Sequence, residues 1–185
     1  MILSFHEGRR ELLRTAAPFA AGPRLRTALA PGGGLTLLRR SPVERDADVL
    51  AGELLDAVDR AGARRVVVDS VGELERAVRE TSDAGRVPGY FAALLEALRA
   101  RGATTLLIRE TGAVAAGGLT LEAEMVSLPA TGVIWLHQVS RGGRLRRVIS
   151  VPKMRFSAHD LAQREYEIAA PEGLRVLGPL EGEAG

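Results

Sequence analysis

The feature that most constrains this sequence is a run of three β-branched residues, Val66-Val67-Val68, that leads into Asp69-Ser70. A run without polar alternation is typical of a strand covered on both faces of a parallel sheet. An amphipathic helical pattern from Asp46 precedes it, and a second helix (Tyr90 to Arg101) and a second apolar strand (Thr104 to Ile108) follow it. Strands that alternate with helices predict an α/β fold with a mainly parallel sheet flanked by helices.

The first forty residues add short elements to this pattern. Residues 1–5 are apolar and predict a strand, and residues 11–17 predict a helix that stops at Pro18. Residues 34–38 predict a further short strand. The α/β pattern is therefore expected to begin within the first residues of the chain.

The pattern changes after Gly112. Two apolar strands, Val133 to Val139 and Arg144 to Val151, flank the turn sequence Arg141-Gly142-Gly143, which predicts an antiparallel hairpin as a C-terminal extension. Two short strands (166–168 and 174–177) and a frayed tail (181–185) complete the prediction of a single domain over residues 1–180.

The composition excludes several classes of protein. Cysteine is absent from the 185 residues, which rules out disulfides, iron–sulfur clusters and thiol nucleophiles. No apolar run approaches the roughly 20 residues that cross a bilayer, and the first residues lack a signal-peptide pattern, so the expected compartment is the cytoplasm. The formal net charge of +2 is too small to indicate a polyanionic partner by itself.

The first candidate site is the acid at the end of the central strand, Asp69. P-loop enzymes use an apolar strand to deliver an aspartate, the Walker B acid, close to magnesium. Many α/β strands also end in an aspartate that caps the following helix, so a structural role for Asp69 stays open.

The second candidate is the pair His6-Glu7, which follows the first predicted strand. A glutamate at this position is suited to polarise an attacking water, and a histidine to orient that water or carry its proton. The structural alternative is that both residues begin the next helix, where a glutamate suits the positive end of the helix dipole.

The third candidate is the segment Lys153-Met154-Arg155, followed by Ser157 and His159. Lys153 is the only lysine in the chain. Cations two residues apart on an extended segment point the same way and can grip one phosphate. The alternatives are a solvated strand end, or a nucleic-acid surface shared with nearby arginines, among which no aromatic residues interleave to form a stacking platform.

The sequence holds no phosphate-binding P-loop. Its single lysine follows Pro152, so a Gly-Lys dipeptide, and with it the Walker A motif, is absent. The glycine run over residues 31–34 leads into a predicted strand, whereas a phosphate loop leads into a helix. The three histidines lack metal-ligand spacing, so they predict no metal site.

Taken in order, these elements resemble the KaiC-like ATPases, a branch of the RecA superfamily. Ser4-Phe5-His6-Glu7 stands where that family carries Ser-Phe-Glu-Glu, and the strand Val66 to Ser70 matches its Walker B strand. Thr105 to Thr111 resembles a later strand of the family, and Tyr166 to Ile168 the strand near its end. The most specific likeness is Lys153-Met154-Arg155-Phe156-Ser157-Ala158-His159, which is similar to the family's Lys-x-Arg-Gly-Ser-x-His.

The resemblance implies a RecA-like fold that binds ATP and magnesium between the subunits of a ring. One subunit supplies the P-loop, the glutamate pair and the Walker B acid. His6 and Glu7 stand in the place of the glutamate pair, and Asp69 stands in the place of the Walker B acid. Asp69 would lie near Mg²⁺ only where a P-loop is supplied. Tight binding of ATP by this chain alone is not expected.

The neighbouring subunit in such a ring inserts a lysine and an arginine toward the γ-phosphate, in the manner of an arginine finger. The resemblance gives this role in trans to Lys153 and Arg155, with Ser157 and His159 beside them. The implied partner is a second copy of the chain or a P-loop-bearing KaiC-like relative.

Two departures from the family pattern bear on function: His6 replaces the first glutamate of the pair, and Phe156 replaces a glycine. The chain is therefore expected to be either a truncated ATPase or a diverged one that has lost hydrolysis and acts as a regulatory module. Truncation alone changes neither motif, so the two departures favour divergence. A third hypothesis is a DNA-binding recombinase relative that uses the surface from Arg141 to Arg155.

Overall fold

A computed structural model describes residues 1–41, 43, 46–81, 85–110 and 129–180. The chain divides into two compact units. The first comprises Met1–Ala17 and Ala21–Thr111, and the second comprises Pro18–Ala20 and Gly112–Gly185. The single domain over residues 1–180 stays a prediction, because two compact units can belong to one domain, and the predicted tail over 181–185 lies outside the described residues.

The first unit is built on a parallel sheet. Its strands are β1 (Ile2–Ser4), β2 (Leu37–Arg39), β3 (Arg65–Asp69) and β4 (Thr104–Ile108). They lie in the order β2-β1-β3-β4, and every neighbouring pair is parallel. The predicted mainly parallel α/β sheet is therefore confirmed. Strand β2 starts later than predicted, because Gly34 adopts a left-handed φ of 85° that no strand accommodates.

Five helices complete the described part of this unit. They are α1 (Arg9–Ala16), α2 (Gly22–Ala28), α3 (Ala47–Ala61), α4 (Val71–Thr81) and α5 (Arg86–Ala100). Helix α3 begins where predicted, because Asp46 accepts hydrogen bonds from two N–H groups of the first turn, each at 3.0 Å. It ends at Gly62, whose φ of 58° satisfies the left-handed cap. Among the described residues, no helix is long and apolar enough to span a membrane.

The burial of the parallel sheet differs between its two faces. Val66 and Val68 are fully buried, and helices α3, α4 and α5 pack together with buried leucines and Phe91. Val67, which points to the other face, is half-buried, and its neighbour Leu106 on the edge strand is exposed. Among the described residues, the predicted burial on both faces thus holds for one face only.

The second unit contains an antiparallel sheet. Its strands are β5 (Gly132–Arg141), β6 (Arg144–Met154), β7 (Arg164–Ala169) and β8 (Gly173–Pro179), which pair in sequence order. The predicted hairpin is confirmed, with Gly142 and Gly143 at φ of 54° and 72° in its two-residue turn. The hairpin extension predicted from the sequence is therefore one half of a four-stranded sheet.

The faces of this second sheet differ in burial. Val148 and Ser150 are buried and lie opposite His137 and Trp135, whose rings stack with centroids 4.1 Å apart. The other face carries large apolar side chains that are exposed: Ile134, Leu136, Leu145, Ile168, Leu174 and Val176.

The β5–β6 hairpin contains a bulge near its open end. Trp135 pairs with Ser150, but Val133 pairs with Lys153, so strand β6 has one residue more than β5 in this interval. Pro152, which has no amide hydrogen to donate, lies in the extra stretch. The bulge therefore brings Lys153 onto the face that carries Trp135 and His137.

Candidate functional site

Three strands of the first unit deliver polar side chains to one edge of the parallel sheet. Ser4 at the end of β1 pairs with Asp69 at the end of β3, and Asp69 pairs with Ile108 at the end of β4. The Phe5 N–H donates to the Asp69 carbonyl at 3.1 Å, which holds the start of the following turn at this edge. The predicted residues His6 and Glu7 are thus brought to the same edge as Asp69, which lies 62 or more positions later in the sequence.

The segment that carries Glu7 is ordered without using the Glu7 carboxylate. The Glu7 N–H donates to Ser4 Oγ at 3.1 Å. Helix α1 begins only at Arg9, and the carboxylate that caps its first turn is Glu11, which accepts from the Gly8 N–H at 3.1 Å. The structural alternative, in which Glu7 begins the helix and balances its dipole, therefore loses its support.

His6 is oriented by an acid of helix α4. Its Nε2 lies 3.1 Å from Glu73 Oε1, and Glu73 also pairs with Arg76. An ionised carboxylate only accepts hydrogen bonds, so a neutral His6 carries its proton on Nε2 and leaves Nδ1 as an acceptor. His6 thus supplies an imidazole at the position where the family pattern has the carboxylate that activates water.

Asp69 lies in an acidic environment. Burial, and then the nearby carboxylates of Glu7 and Glu110, raise its pKa above the usual value, while His6 acts in the opposite direction. Carboxylate oxygens are ligands that Mg²⁺ prefers, and a cation here would offset this repulsion. No group of three or more His, Cys, Asp or Glu residues that could hold a metal is found in the described ranges.

A buried ionic cluster next to this edge was not predicted from the sequence. Glu75 of α4 is buried, and it pairs with Arg79 at 2.9 Å and with Arg109, just after β4, at 3.0 Å. The cluster ties helix α4 to the end of β4. One signal for it was present: Glu75 follows Leu74 on the buried side of the amphipathic helix, where a lone acid needs a cationic partner.

The predicted trans-acting residues lie together in the second unit. Lys153 is half-buried near the end of β6, and the Arg155 N–H donates to the Thr131 carbonyl at 2.7 Å, which extends the ladder beyond the strand. Burial, and then the charge of Arg155, lower the pKa of Lys153. The two cations are thus within electrostatic reach of each other, in agreement with their spacing.

Phe156 has an unusual backbone conformation. Its φ of 65° lies in the left-handed region, and it is the one residue other than glycine with a positive φ in the described ranges. Its side chain is 97% exposed, so it contributes no packing to its own chain. The left-handed conformation costs a residue with a Cβ about 1–2 kcal/mol. The glycine that the family carries at this position would avoid that cost.

Ser157 and His159 lie on the loop after Phe156. Ser157 Oγ donates to the Ala158 carbonyl at 3.0 Å, and His159 Nε2 is buried with no hydrogen-bond partner within the described part of the chain. The loop is closed by Asp160, which accepts from the Ala162 N–H at 2.8 Å and pairs with Arg164 at 2.7 Å. Those two contacts hold the pKa of Asp160 below its usual value.

The two groups of predicted residues thus fall in different units. His6, Glu7 and Asp69 share one edge of the parallel sheet, whereas Lys153 and Arg155 share the end of β6. A parallel sheet flanked by helices, with acids at or just after the carboxyl ends of its strands, and a later antiparallel strand that leads into a Lys-x-Arg segment are the arrangement expected of a RecA-like ATPase.

Comparison with known proteins identifies the family. The family model described as "ATPase: KaiC" matches residues 36–181, which is more than half of the sequence. The chain belongs to the KaiC family of ATPases.

Individual relatives agree with this assignment. The UPF0273 protein MK0039 of Methanopyrus kandleri is 33% identical over 131 residues, which cover 71% of this chain and 48% of that protein. The circadian clock protein KaiC3 of Synechocystis sp. is 25% identical over all 185 residues, or 35% of its own length. The chain therefore spans about half, or less, of the curated relatives that it matches.

A solved structure shows the same fold. The crystal structure of KaiC-like protein PH0186 from Pyrococcus horikoshii OT3 covers 96% of this chain and 74% of its own, with a TM-score of 0.74 and 23% sequence identity. The KaiC-like, RecA-type fold expected from the sequence is therefore confirmed.

Proposed function

We propose that this chain is a regulatory KaiC-like module that acts through Lys153 and Arg155 on a nucleotide held by another subunit and does not hydrolyse ATP with its own residues. The observation that carries the proposal is the pairing of these two cations at the end of β6, where each lies within the other's electrostatic reach. Two clustered cations favour a multiply charged anion such as a phosphate chain.

The edge of the parallel sheet supports the absence of hydrolysis in cis. The family's first glutamate is replaced by His6, whose Nε2 is engaged with Glu73. Asp69 and Glu7 remain as carboxylates that suit a magnesium–nucleotide complex, but the sequence has no Gly-Lys dipeptide to hold the phosphates of that complex. Mg·ATP supplies a transferable γ-phosphoryl group when bound, but this sequence has neither the phosphate-holding lysine nor the family's first glutamate to position water against that group.

The trans role is tested by mixing the chain with an intact, P-loop-bearing KaiC-like relative. We expect the ATPase rate of that relative to change, and we expect Lys153→Ala with Arg155→Ala to abolish the change. An arginine finger in trans is worth about 10³–10⁵ in rate, so even a partial effect is measurable. Arg141→Ala with Arg144→Ala, which removes two cations from the hairpin tip, is the matched control.

The cis prediction is tested by calorimetric titration of the purified chain with Mg·ATP. Without P-loop amides and their lysine to hold the β- and γ-phosphates, we expect weak binding or none. Micromolar affinity in the isolated chain contradicts this part of the proposal.

A second candidate function, nucleic-acid binding, is favoured by the charge of the hairpin tip. Arg146 pairs with Glu165 at 3.2 Å, but Arg141, Arg144 and Arg147 have no ion pair within the described ranges. Phosphate binding by such arginines weakens steeply as salt concentration rises. Steeply salt-dependent binding to single-stranded DNA that is lost in Arg141→Ala with Arg144→Ala would support this candidate over the first.

A further inference from the structure

The segment that carries the two cations also presents an apolar tip. Phe156 is almost fully exposed and is held between Arg155 and Ser157 in a left-handed conformation. Met154 and Leu161, on either side of it in sequence, are also exposed. Two of these exposed apolar residues, Met154 and Phe156, therefore flank Arg155 in sequence, within the segment that the proposed function assigns to a phosphate.

The stability of this chain gives no reason for Phe156. Its ring covers no core, and its backbone conformation is one that a glycine adopts without strain. Strained residues of this kind persist where the surrounding structure fixes them, and they cluster at binding and switch sites. An exposed aromatic side chain on a fixed backbone also loses little entropy when it binds, which is a property of interface hot spots.

We infer that Phe156 is the apolar anchor by which the segment Lys153–Ser157 seats on the P-loop-bearing subunit, in an apolar pocket beside the nucleotide of that subunit. This inference rests on the proposed function. Hot spots at protein interfaces are enriched in aromatic residues and arginine, and Phe156 follows Arg155 directly. The anchor would set affinity and place the cations, while the cations would act on the phosphate.

A protein pocket fits these neighbours better than a stacked nucleobase does. The exposed apolar residues near Phe156 in sequence are Met154 and Leu161, whose aliphatic side chains suit an apolar pocket but offer no flat surface for a base. Single-strand binding surfaces use several aromatic side chains in succession, and residues 153–161 contain one.

The test uses the full chain and the P-loop-bearing relative loaded with Mg·ATP. The affinity of the two proteins is measured for wild type, Phe156→Ala and Phe156→Leu. Because the Phe156 ring is exposed, its removal leaves the fold intact; we expect at least a tenfold loss of affinity in Phe156→Ala and a smaller loss in Phe156→Leu. Leu145→Ala is the matched control, since Leu145 is 64% exposed but lies nine residues, roughly 30 Å, from Met154 along β6.

The ATPase assay separates the anchor from the cations. We expect Phe156→Ala to raise the concentration needed for half of the rate change and to keep the maximal change. Lys153→Ala with Arg155→Ala should instead reduce the maximal change. If wild type alters the rate and Phe156→Ala has an unchanged half-saturating concentration, the inference is overturned while the proposed function stands.

The other outcomes are also decisive. If the wild-type chain neither binds the relative nor alters its ATPase rate, the proposed function is refuted, and so is the inference that rests on it. If Phe156→Ala weakens binding to a single-stranded oligonucleotide but not to the relative, the aromatic side chain is a base-stacking residue and the anchor is refuted.

Discussion

The two units of this chain bury their apolar side chains to very different extents. In the first unit, leucines and valines of three helices and the central strands, together with two phenylalanines, are fully buried. Among the residues of the second unit that the structure describes, Val148 is the only large apolar residue that is buried. Ten of the thirteen large apolar residues that are exposed in the described ranges belong to the second unit, although it has fewer described residues.

This difference shows that the two sheets are stabilised by different means. The parallel sheet rests on helices that bury one of its faces, so the hydrophobic effect supplies most of its stability. The antiparallel sheet depends more on its hydrogen-bonded ladders and cross-strand pairs, and in the described part of the chain one of its faces carries exposed apolar side chains.

A leucine-to-alanine substitution in each unit tests this difference in burial, and it is expected to give the largest difference in stability. Leu54→Ala removes a fully buried side chain of α3 and should lower the free energy of unfolding by about 2–5 kcal/mol. Leu136→Ala removes a side chain that is 47% exposed on the second sheet and should cost less than about 1 kcal/mol in the isolated chain. Urea denaturation measures both, and equal losses would refute the contrast.

A second test concerns the ionic cluster of the first unit. Glu75→Gln leaves Arg79 and Arg109 without their shared carboxylate, and we expect a loss of about 2 kcal/mol, because both arginines are partly solvated. Glu96→Gln removes an exposed partner of Arg99 and should change stability by less than about 0.5 kcal/mol. If Glu75→Gln loses no more stability than Glu96→Gln, the buried cluster does not stabilise the first unit.

In the second unit, one substitution should act in the opposite direction. Phe156→Gly removes left-handed strain of about 1–2 kcal/mol and adds backbone entropy to the unfolded chain worth about 0.5–1 kcal/mol. We therefore expect a net gain of about 0.5–1 kcal/mol in thermal or urea denaturation. Phe156→Ala keeps the left-handed strain and should show no gain in stability. If Phe156→Ala is stabilised as much as Phe156→Gly, the effect comes from loss of the aromatic ring and the strain is not its cause.

The smallest effect concerns Asp69 and depends on pH. Because its pKa is raised in the folded state, the unfolded chain releases this proton at lower pH, and stability falls as pH rises above the ordinary value of 3.8. Asp69→Asn removes this loss, so the variant should be more stable at pH 7 by less than about 1 kcal/mol, with no difference near pH 3. Asp56→Asn, at an exposed position of α3, is the control. If its stability changes with pH as much as that of Asp69→Asn, the effect does not come from the raised pKa of Asp69.

Much of the fold could be predicted from local sequence, because its signals are local. The run Val66-Val67-Val68, the cap Asp46 and the turn Gly142-Gly143 each act within a few residues. Helix α2 was not predicted, because Gly22-Pro23 indicates a stop as readily as a first turn with proline. Helix α4 was not predicted either, although Val71, Leu74 and Val78 have helical spacing.

The candidate site was predictable in part. Asp69, His6 and Glu7 follow strands, and the carboxyl ends of parallel strands share an edge, so their meeting followed from the topology. The pairing of His6 with Glu73 did not, because these residues are 67 positions apart and Glu73 has no local signal. The left-handed conformation of Phe156 could not be predicted either, because a phenylalanine in a sequence predicts an extended or helical backbone.

The bulge in strand β6 fixes which face of the sheet presents Lys153. Lys153 lies three residues after Ser150, so in a strand that alternated regularly it would lie on the apolar face that carries Leu136. The extra residue corrects this phase, and deletion of one codon at Val151 or Pro152 would remove the bulge while leaving Lys153 opposite Val133. The face of the cation is therefore set by the phase of strand pairing: loss of one residue here leaves the cation in place, whereas regular pairing of the strand at its present length would move the cation to the other side of the sheet.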